Sequence, residues 1–287
     1  MIVITNKGWL GNALFVFANF IACAEENNLT IANPALDEYA ELFQTTSEDF
    51  FCRYPPRKSF YQGNKTTRHL LNRTAYLLTR ALARSGIKWR RLRPITLDHG
   101  EELRLDSPEF IASLGRGQLI FVQGWLFRER SNFTRHADAI RRYFTPLQSF
   151  LDNVDGLIRQ AREDCDVLIG VHIRHGDFKT FMGGKYFFEI DEYIRVMERV
   201  AQLFPDQRIG FLVCTNVEVK KSALSQHQVT FGRGHIVEDL YSFARCDYIV
   251  GPPSTYSMWA SFYGSVPLYT IEDSSKSPAL ADFNPVQ

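Results

Sequence analysis

Residues 170–177 carry the side chains best suited to chemistry. They read G-V-H-I-R-H-G-D, so a hydrophobic strand runs directly into alternating polar residues. Because side chains alternate across a strand, His172 and Arg174 share one face. The planar fork of an arginine suits a pyrophosphate, and α/β sheets bind ligands at the carboxyl ends of central strands. The pattern favours phosphate binding by Arg174; the alternative is a structural ion pair between Arg174 and Asp177.

Residues 6–12 form a second candidate loop, between the first strand and the first helix. Gly8 and Gly11 let backbone N–H groups approach a ligand, and the helix N-terminus behind them adds partial positive charge. This suits a phosphate. An ordinary turn is the alternative, because neither a dinucleotide fingerprint nor a Walker lysine motif is present.

Residues 248–260 form a third candidate, where a strand ends in G-P-P and hydroxyl residues open a helix. Ser254 and Thr255 serve either as helix caps or as a second phosphate-binding face. Upstream, Asp239 lies in a predicted first helical turn, where a carboxylate stabilises the helix dipole. Asp164 and Asp166 have the D-x-D spacing of metal-dependent sugar transferases. They precede a buried strand instead of following one, so we predict no metal site.

Strands alternate with helices, which predicts an α/β fold with parallel sheets. We expect two Rossmann-like domains facing a cleft, with a seam near residue 150. The domains are 1–150 and 151–287. Strands are predicted at 2–5, 29–32, 119–123, 167–173, 208–214, 248–250 and 267–271, and helices at 13–26, 69–84, 190–203, 219–224, 238–245 and 256–263.

Composition indicates a soluble globular protein, with 45% hydrophobic and 23% charged residues among 287. Five scattered cysteines do not form a disulfide framework or a zinc site, and fit a reduced setting. The first residues, M-I-V-I-T-N, lack the charged and apolar regions of a signal peptide. We therefore expect a cytoplasmic protein, either free or peripheral on the inner membrane face.

Charge is unevenly distributed, because residues 50–97 hold twelve Lys and Arg and no Asp or Glu. A helix at 69–84 would place Leu71, Ala75, Leu78 and Leu82 on one face and Arg73, Arg80 and Arg84 opposite. The segment is either a solvated basic face or a contact for an anionic partner. The candidate partners are a membrane surface, through residues 68–93, and a phosphorylated, lipid-linked molecule. The net charge of +1 disfavours nucleic acid.

Four stretches together resemble the fucosyltransferases that carry an H-x-R-R-x-D motif, most closely the bacterial α-1,2 group. Residues 8–15 resemble the amino-terminal G-x-L-G-N-x-L-F signature, and residues 171–177 the nucleotide-sugar motif. Residues 238–246 resemble the D-L-x-x-x-x-x-C helix, and residues 254–260 the S-S/T-F-S-W-W-A stretch. Their order along the chain is that of the family.

The resemblance implies a GT-B fold, GDP-fucose as donor, inversion at the anomeric carbon, and no cofactor or required metal. It also implies that domain 1–150 is the acceptor side and that domain 151–287 binds the nucleotide sugar. It implies that Arg174 holds the β-phosphate and that His172 and Asp239 contact the nucleoside. The glycine loop would close over the sugar end, and the hydroxyls at 254–257 would flank the diphosphate. The donor-binding residues implied in this way are Gly8, Gly11, Asn12, His172, Arg174, His175, Asp239, Ser254, Thr255 and Ser257.

Departures from the family pattern change the charge of the donor site and the choice of residue for the general base. His175 replaces the second motif arginine, and Asn216 stands where the family has an acidic residue. Asp177 is the best local candidate for the base, and a carboxylate of the amino-terminal domain is the alternative. We expect an inverting fucosyltransferase that acts on a glycan with α-1,2 linkage. The alternatives are a transferase with another GDP-sugar or linkage, and a catalytically silent binding module.

Overall fold

The computed structural model describes residues 1–6, 8–86, 91–115 and 117–287. The chain forms two compact units, Met1–Leu147 and Gln148–Gln287. Residues 87–90, part of the predicted basic contact, lie outside the described residues. Within the described part of the chain, no helix is long and apolar enough to cross a membrane.

The first unit is built on a five-stranded sheet in the order β3-β2-β1-β6-β4. All pairs are parallel except β2 with β3. A separate pair, β5 and β7, is also parallel. The strands are β1 Ile2–Ile4, β2 Ile31–Ala32, β3 Arg53–Tyr54, β4 Leu92–Thr96, β5 Glu102–Arg104, β6 Leu119–Gln123 and β7 Leu126–Arg128. The helices are α1 Leu10–Asn27, α2 Gln44–Ser47, α3 Lys65–Ser85, α4 Pro108–Ala112 and α5 Ala137–Tyr143, with 3₁₀ turns at Pro34–Leu36 and Ala40–Leu42.

Helix α1 is the centre of this unit, because it is hydrophobic on nearly all sides. Phe17 and Phe20 are fully buried within it. Phe17 packs edge-on against Tyr143 and Phe144, with ring centroids 5.1 and 5.8 Å away. A helix that is apolar all round must be covered on more than one face. The apolar residues at 14, 17, 18, 21 and 22 therefore predict the helix. The aromatic side chains that cover it are identified only by the structure.

The second unit has a sheet in the order β10-β9-β8-β11-β12, with all strands parallel. Its strands are β8 Val167–Ile173, β9 Ile209–Thr215, β10 Gln228–Phe231, β11 Tyr248–Gly251 and β12 Leu268–Thr270. Its helices are α6 Gln148–Ala161, α7 Ile190–Ala201, α8 Ile236–Phe243 and α9 Thr255–Gly264, with 3₁₀ turns at Gly176–Lys179, Phe181–Gly184, Lys221–Leu224 and Leu280–Asp282. The strand order reverses direction between β8 and β11, which makes this the topological switch point.

Strand β8 is buried along its whole length, as its continuous apolar sequence predicts for a central parallel strand. Its residues Ile169 and Val171 belong to the same apolar core as Tyr193 and Val196 of α7. Burying large apolar side chains contributes about 1.5–3 kcal/mol each. The core thus holds β8 rigidly, and the polar residues that follow it leave the sheet from a fixed point.

Helix α3 differs from its predicted packing. It begins at Lys65, where the Asn64 side chain accepts a hydrogen bond from the Thr67 N–H in a capping box. Leu82 and Ala75 are buried as expected, whereas Leu78 is 42% exposed. The buried face of α3 is partly polar instead, since it carries Arg68 and Asn72.

Candidate functional site

The carboxyl edge of the second unit's sheet collects most of the predicted site residues. Arg174 follows β8, Asn216 follows β9, and Ser254 follows β11. Strands β8 and β11 are neighbours, so their ends lie about 5 Å apart. Ligands of α/β proteins bind outside the carboxyl ends of strands at a switch point. The topology therefore singles out the space between Arg174 and Ser254.

Arg174 is oriented by its neighbours and retains unused hydrogen-bonding capacity. Its Nη2 lies 2.8 Å from Oδ1 of Asp177, and its guanidinium stacks over Phe178 at 5.6 Å. Its backbone N–H donates to the buried Tyr193 hydroxyl, 3.3 Å away. Arg174 Nε is buried and has no hydrogen-bond partner among the described residues. The ion pair that the sequence offered as the alternative exists, yet it satisfies only part of the guanidinium.

His172 lies two residues before Arg174, deeper in the sheet and on the same face. Its ring is buried against Phe243 and Tyr256, with centroids 5.9 and 5.1 Å away. Gly251 of the adjacent β11 makes room for it, since a Cβ there would meet the His172 Cβ at 2.9 Å. Burial, and secondarily the positive charge of Arg174, lower the pKa of His172 to about 3. The ring is therefore neutral, and its buried Nδ1 has no partner in the described part of the chain.

His175 and Asn216 clamp the turn that follows β8. The His175 N–H donates to Asn216 Oδ1 at 2.8 Å, and Asn216 Nδ2 donates back to the His175 carbonyl at 3.3 Å. His175 Nε2 lies 2.8 Å from the Phe188 carbonyl oxygen. Because a carbonyl only accepts, Nε2 carries the ring proton. The imidazole that replaces the second motif arginine is thus tied to the backbone, and Asn216 holds the loop instead of supplying charge.

The N-terminus of α9 has the chemistry of an anion site. Ser254 is its N-cap and accepts a hydrogen bond from the Tyr256 N–H at 3.2 Å. The first turn contains no acidic residue, and Ser254 and Thr255 are both half-buried. Ser257 lies fully buried beneath them and donates to the Ser254 carbonyl. The structure therefore offers Ser254 and Thr255 to a ligand, while the Ser257 hydroxyl is used within the turn.

Asp239 serves a local structural purpose in α8. Its buried carboxylate accepts hydrogen bonds from the N–H groups of Arg233 and Gly234, at 2.8 and 3.1 Å. Burial raises its pKa to about 6, against the effect of these two bonds. With Glu238 beside it, the first turn of α8 is acidic and disfavours a second anion. Of the two helix N-termini, only that of α9 suits a phosphate.

Arg233 is a cation that the sequence analysis missed. It follows β10, two strands from β8 in the sheet, or about 10 Å away. Its side chain is 45% exposed, and its Nε lies 3.9 Å from Glu238 Oε2, which is a long ion pair. The sequence does contain a signal for a strand that ends before Arg233, because Val229 and Thr230 are β-branched and glycines flank the arginine. The short run of residues 228–231 was not predicted as a strand, so the arginine at its end was not placed.

The glycine loop of the first unit packs more tightly than an open ligand cradle would. A Cβ on Gly8 would lie 2.0 Å from the Trp125 ring, so any side chain at this position would have to displace the indole. Gly11 is buried, and Asn12 is half-buried in the first turn of α1. Helix α1 has no side-chain cap and no acidic residue in its first turn. The Asn6 Nδ2 atom is buried without a partner among the described residues. Lys7, in the middle of this loop, lies outside them.

Two other features offer no diphosphate site. A concavity of about 550 Å³ lies beside β12 and contains none of the predicted site residues. Its wall carries three carboxylates, those of Glu272, Asp273 and Asp282, which repel a diphosphate. Asp166, of the D-x-D pair, binds the backbone N–H and guanidinium of Arg208 at 2.9 Å. Among the described residues, no group of three or more His, Cys, Asp or Glu could hold a metal ion.

Comparison with known proteins shows the fold class. The chain is similar to a mutant of Arabidopsis thaliana FUT1 in complex with GDP, over 99% of this chain and 73% of that one, with a TM-score of 0.59 and 13% identity. It is similar to fucosyltransferase NodZ from Bradyrhizobium over 94% of both chains, with a TM-score of 0.55 and 14% identity. It is similar to POFUT1 in complex with GDP-fucose over 97% of this chain and 96% of that one, with a TM-score of 0.54 and 13% identity.

These likenesses confirm the predicted fold, which is the α/β fold of GT-B fucosyltransferases. No protein-family model matches the sequence, and no curated protein matches it. The likeness at this level of identity concerns the fold. The chemistry has to be argued from the residues at the carboxyl edge of the second sheet.

Proposed function

We propose that this protein is an inverting glycosyltransferase that transfers fucose from GDP-fucose to a glycan acceptor. The observation that carries the proposal is a pair of buried nitrogens without partners among the described residues, His172 Nδ1 and Arg174 Nε, at the switch point of the second unit. Leaving buried polar groups unsatisfied costs about 1–3 kcal/mol each, so each of these two nitrogens needs a water or a ligand as partner. The fold supports the choice, since FUT1 was solved in complex with GDP and POFUT1 in complex with GDP-fucose, and NodZ was soaked with GDP-fucose.

The diphosphate would lie between Arg174 and the N-terminus of α9. Arg174 supplies a planar fork, and Ser254 and Thr255 supply hydroxyls beside the free N–H groups of a first helical turn. Arg233 adds positive charge at the same edge, about 10 Å from β8, and acts on the diphosphate only through its long-range field. His172, neutral and buried, would accept or donate one hydrogen bond to the nucleoside, with Asp239 ordering the adjacent turn.

The reaction breaks the bond between the anomeric carbon and the β-phosphate oxygen. The electron pair leaves with GDP, and an acceptor hydroxyl forms the new bond on the opposite face of the sugar. Negative charge therefore grows on the β-phosphate as the bond breaks. Arg174 and the α9 N-terminus act where that charge develops, and one such donor is worth about 3–4 kcal/mol in the transition state. The proton of the acceptor hydroxyl must go to a base.

Asp177 is our candidate for that base. Without donor, its carboxylate forms the ion pair with Arg174, and its side chain is 49% exposed. A bound diphosphate competes for the same guanidinium and would release the carboxylate. Donor binding would thereby free the base only when there is a sugar to transfer.

We further propose α-1,2 linkage and a lipid-linked glycan as acceptor. The linkage rests on the motif resemblance, whereas the similar structures include an α-1,6-fucosyltransferase. NMR of the disaccharide product decides the linkage. A product with fucose on any position other than O2 contradicts this part while leaving fucosyl transfer standing.

A nucleotide and donor panel tests the function itself. We expect GDP to raise the melting temperature and UDP, ADP and CDP to leave it unchanged. A ligand at about 100 times its Kd adds about 2.7 kcal/mol of stability. GDP-fucose should then be turned over, and GDP-mannose should not. Stabilisation by GDP without transfer or hydrolysis of any donor would indicate a silent binding module and contradict the proposal.

A further inference from the structure

Helix α3 is amphipathic in the reverse of the usual sense. Its buried residues are Arg68, Asn72, Ala75, Thr79 and Leu82, three of them polar. Its exposed face carries Leu70 and Leu77, which are 62% and 55% exposed. A surface helix of a globular protein normally turns its leucines inward, because their burial stabilises the fold. The leucines on this face therefore do not contribute to the fold.

Polar contacts hold α3 in place instead. The Arg68 guanidinium donates to the carbonyls of Thr46 and Asp49, at 3.2 and 2.9 Å. Asn72 Nδ2 donates to the buried Asp37 carboxylate at 3.2 Å. Because these bonds fix both the position and the rotation of the helix, the outward direction of its exposed leucines is set by the structure and not by chance.

The exposed leucines form a line that arginines border on one side. Leu70, Leu77 and Ala81 are separated by seven and four residues, the spacing that keeps side chains on one helical face. Arg73 and Arg84 fall on one side of this line and are exposed. No described residue forms an ion pair or hydrogen bond with either of them. We call this set, Leu70, Arg73, Leu77, Ala81 and Arg84, the outer face of α3.

The stretch of chain that contains α3 is positively charged. Residues 50–97 contain no Asp or Glu, and twelve Lys or Arg. Two of the twelve serve the interior, since Arg68 is buried and Arg53 binds Asp49 at 2.7 Å. The exposed remainder includes Arg57 and Lys65.

We propose that the outer face of α3 binds an anionic lipid bilayer. Leu70 and Leu77 would enter the boundary between headgroups and acyl chains, and Arg73 and Arg84 would extend to the phosphates. Long arginine side chains can cover apolar surface while their charges reach polar partners. This inference rests on α3 alone and is independent of the proposed activity.

Charge and shape favour lipid over other occupants. A symmetric dimer through this face would bring the same patch of two copies together, and their arginines would repel each other. A nucleic acid would satisfy the arginines but would leave the central leucines against water or phosphate. An anionic bilayer satisfies both, because its phosphates attract the arginines and its acyl chains accept the leucines.

Co-sedimentation of the full chain with vesicles tests the proposal. The vesicles contain phosphatidylcholine alone, or phosphatidylcholine with phosphatidylglycerol, each at low and at physiological salt. We expect binding to the phosphatidylglycerol vesicles, weakened by salt because exposed charges are screened. Equal, negligible pelleting in all four conditions overturns the proposal.

Matched variants locate the contact. Arg73→Gln with Arg84→Gln should lower the partition coefficient about 30-fold, from ~1 kcal/mol for each charge. The control pair Arg159→Gln with Arg195→Gln removes the same charge from exposed sites on α6 and α7 and should leave binding near wild type. Leu77→Asn should cost about tenfold. Leu280→Asn, at a comparably exposed leucine of the second unit, should have little effect.

Two further results would overturn the proposal. The first is an equal loss of vesicle binding in the α3 and control variants, which would show that net charge alone is responsible. The second is a dimer in solution that Leu77→Asn dissociates while no variant binds lipid, because a second copy would then cover the face. Thermal unfolding of each variant shows that a loss of binding does not come from misfolding.

Discussion

Arg174 is held by contacts on three sides, and its buried Nε remains without a partner among the described residues. Phe178 stacks on its plane, Tyr193 fixes its backbone, and Asp177 binds one nitrogen. We predict that Arg174→Ala lowers transfer by about 10²–10³-fold, the loss that follows removal of one donor to a developing oxyanion. Arg174→Lys should also lose most activity, because an ammonium cannot make a bidentate contact. Steady-state rates with GDP-fucose measure both.

Arg208→Ala is the matched control for this prediction. Arg208 also pairs with a carboxylate next to a strand of the same sheet, but it lies at the opposite end, before β9. Its loss should leave turnover unchanged. An Arg174→Ala enzyme with near wild-type turnover, and with a melting temperature like that of the control, would remove Arg174 from the reaction.

Asp177→Asn separates two roles for the carboxylate. If Asp177 is the base and only occupies Arg174 in the absence of donor, the variant should bind GDP as tightly as wild type or more tightly. Transfer should fall by about 10²–10⁴-fold, the usual contribution of a general base. Calorimetric GDP affinity and turnover are measured on the same preparation. Weaker GDP binding together with unchanged turnover would instead assign Asp177 to the orientation of Arg174.

His172 should make stability depend on pH in a known direction. Its folded pKa of about 3 lies below the ordinary 6.5, so between these values the unfolded chain binds a proton that the folded chain does not. Acid therefore favours unfolding, and His172 alone should cost about 2 kcal/mol on going from about pH 7 to about pH 5. This cost is absent above about pH 6.5 and complete below about pH 3.

Comparison with His172→Gln isolates this contribution. Asp239 works in the opposite sense, because its raised pKa of about 6 makes the folded state bind the extra proton and gain stability as pH falls from about 6 to 4. The pH dependence of the wild-type unfolding free energy is thus the sum of the His172 and Asp239 contributions. Urea unfolding at the same two pH values should show that the variant loses about 2 kcal/mol less than wild type. Equal losses in the two proteins would mean that His172 is not buried in its neutral form.

Helices α8 and α9 pack so closely that their ends depend on a glycine. A Cβ on Gly264 would lie 2.1 Å from the Ala244 carbonyl oxygen, a backbone atom that cannot move aside. We predict that Gly264→Ala destabilises the protein by about 2 kcal/mol or more, as overpacking does. It should also weaken GDP binding, because it displaces the helix whose first turn holds Ser254. Urea unfolding and calorimetry measure the two effects.

Gly156→Ala is the control for backbone effects. Gly156 lies inside α6, and a Cβ there would meet only Arg233 Nη2 at an ordinary 3.8 Å. Alanine in place of a helical glycine should stabilise the protein by about 0.5–1 kcal/mol. If both variants changed stability equally, the close approach of α8 and α9 would not be a constraint.

Elements with long apolar patterns could be predicted from the sequence, and short ones could not. The predicted strand 167–173 and the structure's β8 have the same bounds, as do 119–123 and β6. Strand β10 was missed because four residues of mixed polarity carry too little periodicity. The inner face of α3 was misread because Arg68 is buried by carbonyl partners distant in sequence, which no local pattern reveals.

At the scale of the whole molecule, fold class could be predicted from the alternation of strands and helices, whereas strand order could not. The order β10-β9-β8-β11-β12 depends on pairings between distant segments, such as Val171 with both Val213 and Val250. That order brings the end of β8 beside the end of β11, although the two strands are far apart along the chain. It also puts Arg233 at the same edge of the sheet. Motif resemblance assigned roles to Ser257 and His175, but their hydrogen bonds are made within the protein.

The charge distribution of the whole chain bears on the need for a metal. The negative charge of a diphosphate can be balanced by Arg174, Arg233 and the positive end of α9, without a divalent cation. Asp166, half of the D-x-D pair, is bound to Arg208 at the opposite end of the sheet. We therefore predict that transfer proceeds at full rate after exhaustive treatment with EDTA. Adding Mg²⁺ or Mn²⁺ should not raise it. Activity that is lost with EDTA and restored by Mn²⁺, but not in an Asp164→Asn, Asp166→Asn variant, would show that the cations of the protein do not suffice and that the D-x-D pair binds metal.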